Sequence, residues 1–352
     1  MQLTKFLDKV SNSFKITKEN KVFVKTIYEK DYSKIDREYI SSKYFLNNLI
    51  NKKWLNVCRF NVYIPFSNTN VIVEIHTLKS DNIKDLKQTI SNYLLFMSIV
   101  MKNVFNKHLP DFYLILYMSR INKTLPKHLS KETVLSKHIN SGMTVYSGMT
   151  VYSGMTVYSG MTGFKPQIII YRKQELLKVL THEIIHLCGN HPYSYEQVYD
   201  YKIKEMFNIQ NTNSLNVYES YVETLALLIN CVVYSNLNKG NNILTNLELE
   251  KKHSQSIVNQ VYLQLNNGSK VIKFQEPLKE ETNFFSYIVI KCFFLQNLEL
   301  FFSLIDNETF VINDSYKFLN GIINNLCKLK IDRNFKNNGE LFRKLKFCCL
   351  EI

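Results

Sequence analysis

QIIIYRKQELLKVLTHEIIHLCGN, residues 167–190, decides how this chain is read. The run PQIIIYR (166–172) predicts a strand, and the apolar spacing from Lys173 to Leu187 predicts a helix that Gly189 ends. Within that helix lies His182-Glu183-Ile184-Ile185-His186, an HExxH pattern. Residues i and i+4 share a helix face, so both imidazoles can reach one metal ion. Glu183 falls on an adjacent face, where it can hold a metal-bound water without being a ligand. The flanks VLT and LC are uncharged and both internal positions are Ile. That suits a buried helix beside a metal pocket, whereas a surface helix would carry charges there. The competing reading is a buried helix whose two histidines only hydrogen-bond.

Upstream, residues 1–55 are charged and mixed, with helical stretches such as Tyr44 to Leu55. FNVYIPF (60–66) and NVIVEIHTL (70–78) read as a hairpin across SNT. Asn82 to Lys107 reads as one long helix, and DFYLILYMS (111–119) as a strand. Ser141 to Thr162 then holds three copies of SGMTVY followed by SGMT. Identical copies standing alone suggest a recent tandem expansion, and lengthening a surface loop costs little closure entropy. The expectation for 141–162 is therefore a repeat loop, with an ordered β element as the lesser reading.

Downstream of Tyr195 no strand is expected. Helical periodicity recurs over 195–208, 214–236, 245–265, 283–304 and 314–329, with a last piece near 339–350. The chain is thus expected to be α+β, in three parts: an N-terminal segment (1–55), an α+β portion ending in the HExxH helix (56–192), and a helical portion (193–352).

Two histidines do not complete a catalytic zinc site, which needs a third protein ligand. His191 gives HExxHxxGxH, one residue short of the metzincin spacing, with Pro192 where that His belongs. Glu219 and Glu223, in NVYESYVETLALLINCVV, lie at i and i+4 on an otherwise apolar helix. Burying two carboxylates on an inner face is costly unless a cation or donors meet them. The alternative is an exposed polar stripe.

Composition narrows the remaining classes. Of 352 residues, 45 % are hydrophobic, which excludes a wholly disordered chain. The net charge of +14 raises nucleic-acid binding, but only six of the 44 basic residues are Arg, the side chain favoured for base reading. Lys, Asn, Ile, Tyr and Phe are what AT-rich codons supply, so nucleic acid stays possible but not favoured. The seven cysteines are odd in number, lack CxxC, and sit mostly in apolar surroundings, as in a reduced intracellular protein. No apolar run reaches the ~20 residues that cross a bilayer. The N-terminus does not read as a secretory signal, so no membrane insertion and an intracellular location are expected.

At these residues the chain resembles the gluzincin type of HExxH zinc metallopeptidase, whose third ligand is a Glu on a later helix. The order NSGMT, IIIYRKQELLKVLTHEIIH, ESYVETLA also resembles uncharacterised HExxH proteins encoded by large DNA viruses. The resemblance covers roughly residues 110–235 and implies Zn2+ as cofactor and a peptide or protein as substrate. It implies a zincin-like fold: a mixed-sheet upper lobe, a mostly helical C-terminal lobe, and a metal site in the cleft between them. PQIIIYR matches the edge strand that pairs with extended peptide. By the same resemblance His182, His186 and Glu219 bind zinc and Glu183 is the general base. Glu223 is then the runner-up ligand, or a group that orients a ligand histidine. Tyr193, Tyr195, Tyr199 and His191 are candidates for stabilising the intermediate. A catalytically inactive zincin that serves as a basic virion or nucleic-acid-binding protein is the alternative.

Overall fold

The computed structural model describes residues 2–26, 56–77, 81–146, 149–152, 155–157, 165–189, 197–211, 215–238, 242–266, 272–332 and 345–350. The chain divides into two compact units. A sheet unit holds residues 9–121 and 140–188, and a helical unit holds 1–8, 122–139 and 189–352. The division at 188/189 lies near the expected break after 192; of the 1–55 segment, residues 2–8 fall with the helical unit and 9–26 with the sheet unit, and 27–55 lie outside the described residues. The connector 122–139 also belongs with the helices rather than with the sheet. Tyr44 to Leu55 lies outside the described residues.

Helix α1 (Gln2–Glu19) precedes β1 (Phe23–Thr26), β2 (Asn56–Ile64) and β3 (Thr69–Thr77). Both β1–β2 and β2–β3 are antiparallel. Helix α2 (Ile83–Asn103) starts where the Asn82 side chain accepts from the backbone N–H groups of Lys84 and Asp85, satisfying donors the helix leaves unpaired. It crosses over to β4 (Phe112–Tyr117), which runs parallel to β3. Parallel strands need such a helical crossover, and strands covered on both faces become apolar throughout. Phe112, Leu114, Ile115 and Leu116 of β4, with Ile168, Ile169 and Ile170 further along the chain, are accordingly buried.

The repeat is where expectation and structure part. Instead of a loop, it forms β5 (Gly142–Tyr146), β6 (Met149–Tyr152) and β7 (Met155–Val157), an antiparallel meander. Tyr146 pairs with Met149 and Tyr152 with Met155, leaving two residues, Ser-Gly, between successive strands. A six-residue unit of four strand residues and a two-residue connection suits a tight hairpin, with β-branched Thr and Val in the strand.

β8 (Gln167–Ile170) pairs parallel with β4 on one side and antiparallel with β5 on the other. The full order is β1-β2-β3-β4-β8-β5-β6-β7, a mixed eight-stranded sheet. PQIIIYR is therefore an interior strand and not the edge, because β5 occupies its outer side. β8 leads into α3 (Leu176–Leu187), the HExxH helix, every residue of which is buried. Gly189 follows at φ 63, a left-handed conformation that glycine adopts without strain and that closes the helix.

In the helical unit, α4 (Gln197–Phe207), α5 (Tyr218–Leu237) and α6 (Ile243–Asn266) match the expected periodicities. The expected helix over 283–304 is broken into a π-helical turn (Ser286–Ile290), α7 (Lys291–Gln296) and α8 (Leu298–Ser303). α9 (Ser315–Asn325) follows. Residues 339–344 of the last expected helix lie outside the described residues, and 345–350 are not helical. Two short strands that periodicity missed, β9 (Ile209–Asn211) and β10 (Leu278–Glu280), pair in parallel. α5 is buried from Tyr218 through Val233 and packs against α6, the π-helical turn and α7, as a central helix should. Around it Phe294, Phe301 and Phe318 make edge and tilted ring contacts with one another and with Tyr221.

No disulfide joins the described cysteines; Cys231, Cys292 and Cys348 are buried and Cys327 is exposed. Among the described residues no helix is long and apolar enough to cross a membrane.

Candidate metal centre

The HExxH residues lie on α3. His182 and His186 stand one turn apart with their Nε2 atoms at 3.0 Å, and they are 5 % and 2 % exposed. Their rings meet edge to face, with centroids at 4.7 Å. Behind them Thr181 is anchored by Tyr93 of α2, its Oγ1 lying 2.5 Å from the phenolic oxygen. The apolar flanks read from sequence thus do what a buried site needs: they seat α3 against α2, β5 and β8.

Glu183 points toward β5. The Thr144 hydroxyl donates to its Oε2 at 2.8 Å and lies 3.1 Å from the Glu183 backbone oxygen. β5 can come this close because residue 142 is glycine. A Cβ there would sit 2.9 Å from both Glu183 Oε1 and Val179 Cγ1. The first repeat copy therefore belongs to the surroundings of the HExxH glutamate, a role no local pattern signals. Nearby, burial pushes the Tyr171 phenol far above its usual range; Arg172 opposes that and the Glu183 charge adds to it. Burial likewise pushes the Cys188 thiol up to about 12, against the charge of Lys107.

Both candidate carboxylates lie on α5. Glu219 is wholly buried, with Oε2 accepting from the Tyr287 hydroxyl at 2.9 Å and Oε1 from Asn216 Nδ2 at 3.4 Å. Glu223, one turn on, is 2 % exposed. The exposed-stripe reading of this pair is therefore excluded.

The ligand atoms of His182, His186 and Glu219 lie within 4.8 Å of one another, and this buried group could hold a metal ion. Two imidazole nitrogens and a carboxylate oxygen are the donor set of many catalytic zinc sites. Zinc at about 2.0–2.2 Å from each donor would space them roughly 3–4 Å apart. The donor chemistry therefore fits. Among the described residues Glu223 is not part of that group, nor is any cysteine. His191, Tyr193 and Tyr195 lie outside the described residues. Tyr199 is buried and its ring contacts Tyr316 at 6.3 Å. Tyr287 and Thr144 are the polar partners that sequence reasoning missed.

No protein-family model matches the chain, and neither a curated protein nor a solved structure is significantly similar to it. The functional reading therefore rests on the chemistry of the site.

Proposed function

We propose that this protein is a zinc-dependent metalloendopeptidase of the gluzincin type, with a zincin-like fold. The observation that carries the reading is the approach of Glu219 to both HExxH imidazoles. A sequence pattern alone fixes only the two histidines and the glutamate between them. Bound zinc would lower the pKa of a water and polarise the scissile carbonyl. His182, His186 and Glu219 would hold the ion. Glu183 accepts the water proton on a carboxylate oxygen and returns it to the leaving amine. The Thr144 hydroxyl orients that carboxylate. Burial of all these side chains excludes bulk water and strengthens each electrostatic contact.

β8 is flanked on both sides, so an extended peptide cannot add to it. The same holds for β5, which β8 and β6 flank; the end strands of the described sheet are β1 and β7, so PQIIIYR is not where a peptide strand would add.

The test is metal analysis of purified protein together with cleavage of a protein substrate by wild type and Glu183→Gln. One zinc per chain in both, with cleavage abolished only in the variant, is the expected result. Absence of stoichiometric metal in the wild type would sink the proposal.

A further inference from the structure

We infer that Tyr287 and Asn216 are positioning residues for Glu219, each holding one carboxylate oxygen so that the ligand is oriented before the metal arrives. The inference rests on the reading of His182, His186 and Glu219 as metal ligands.

Tyr287 donates to Oε2 and Asn216 to Oε1, so the two hydrogen bonds fix the carboxylate plane from different elements. Both donors are themselves held. The Asn216 N–H donates to Asn283 Oδ1 at 3.2 Å, while its own Oδ1 accepts from the Tyr218 N–H at 3.1 Å, at the start of α5. The Tyr287 ring stacks on Phe347, with centroids at 5.8 Å and planes at 27°. Tyr287 also sits in the π-helical turn Ser286–Ile290. A π turn inserts one extra residue and re-aims the side chains around it, and such turns gather at functional sites. Here the re-aimed side chain is the one that reaches the ligand candidate 68 positions earlier in the chain.

Neither donor carries a charge, so neither competes with a cation for the carboxylate. A carboxylate oxygen has two lone pairs, and accepting one hydrogen bond is compatible with binding a metal. Such outer partners fix ligand orientation, and losing one typically weakens metal binding by about 10–100-fold.

The experiment is zinc titration of the full chain, by competition with a chromophoric chelator, for wild type, Tyr287→Phe, Asn216→Ala and His186→Ala. Visible absorption of the Co(II)-loaded proteins is recorded in parallel. The inference expects Tyr287→Phe to bind zinc about 10–100-fold more weakly. Its Co(II) bands should shift, while the melting temperature of the metal-free protein stays near that of wild type. A purely structural tyrosine would move the melting temperature and leave the bands alone. Wild-type affinity and bands in a folded Tyr287→Phe would overturn the inference while leaving the zinc reading intact. If Tyr287→Phe does not fold, Asn216→Ala decides: weaker binding supports the clamp, and unchanged binding overturns it. If wild type binds no zinc, or His186→Ala binds as well as wild type, the metal reading falls and the inference with it.

Discussion

The hydroxyl of Thr144 donates to Oε2 of Glu183 at 2.8 Å, joining the first copy of a tandem repeat to the glutamate of an HExxH helix 39 residues further on. A hydrogen bond to a charged carboxylate contributes about 1.5–3 kcal/mol. Thr144→Val keeps the shape and removes the donor. Steady-state kinetics should show kcat lowered by about tenfold to a hundredfold, with zinc content unchanged. A variant with wild-type kcat would mean that Glu183 is oriented by other contacts.

Gly142 sets the distance at which β5 meets α3. In Gly142→Ala the new methyl would lie 2.9 Å from Glu183 Oε1 and Val179 Cγ1, so strand or side chains must shift. Overpacking of this kind costs about 1–3 kcal/mol, and chemical denaturation should read that loss. Because one of the displaced atoms belongs to Glu183, kcat should fall as well.

The identical copies make the repeat divisible. Excising residues 147–158 leaves SGMTVY at 141–146 followed directly by SGMTGFK. Gly142 to Val145 then still pair with β8, and Thr144 still meets Glu183. Zinc stoichiometry and kcat/KM should be no lower than in the full chain. A folded deletion variant without activity would assign a direct role to β6 or β7.

The two glutamates of α5 separate on substitution. Glu219→Gln should lose tight zinc binding, because a neutral amide replaces the carboxylate in the three-residue group. Glu223→Gln should keep one zinc per chain. Metal analysis after dialysis distinguishes them, and the reverse pattern would make Glu223 the ligand.

Two buried carboxylates give stability opposite pH dependences. Burial pushes Glu280 up to about 8 from an ordinary 4.5, against hydrogen bonds from the Phe285 N–H and Asn211 and the charge of Lys204. Between those values the folded state keeps a proton that the unfolded chain has lost, so stability falls as pH rises from 4.5 through about 8. Glu280→Gln should remove that decline and be more stable than wild type at pH 8, by roughly 2–4 kcal/mol in urea denaturation. Burial raises Glu74 too, but hydrogen bonds from His76 and Arg59, with their charges, hold it at about 2. Its contribution is present above 4.5 and is lost as pH falls toward 2, so Glu74→Gln should destabilise at neutral pH and converge with wild type in acid.

Much of the fold was legible because it is written in local periodicity. The strands of the hairpin, helix α2, β4, β8, the HExxH helix and α5 all follow from the spacing of apolar residues. The π turn within the 283–304 run was not legible, since it leaves the apolar run uninterrupted. The repeat was misjudged for a related reason. Its identity from copy to copy suggested a loop, yet each six-residue unit carries the β-branched core and two-residue spacing of a hairpin.

The sequence by itself determined the HExxH helix, its apolar seat, and two glutamates on one later helix. It could not choose between Glu219 and Glu223, because i and i+4 present the same face. Nor could it place Thr144 beside Glu183 or Tyr287 beside Glu219, partners 39 and 68 positions apart. Those pairings depend on strand order and on the side-chain direction set by a π turn. Both are properties of the packed molecule, because periodicity along a chain says which face a residue takes but not which distant residue it will meet.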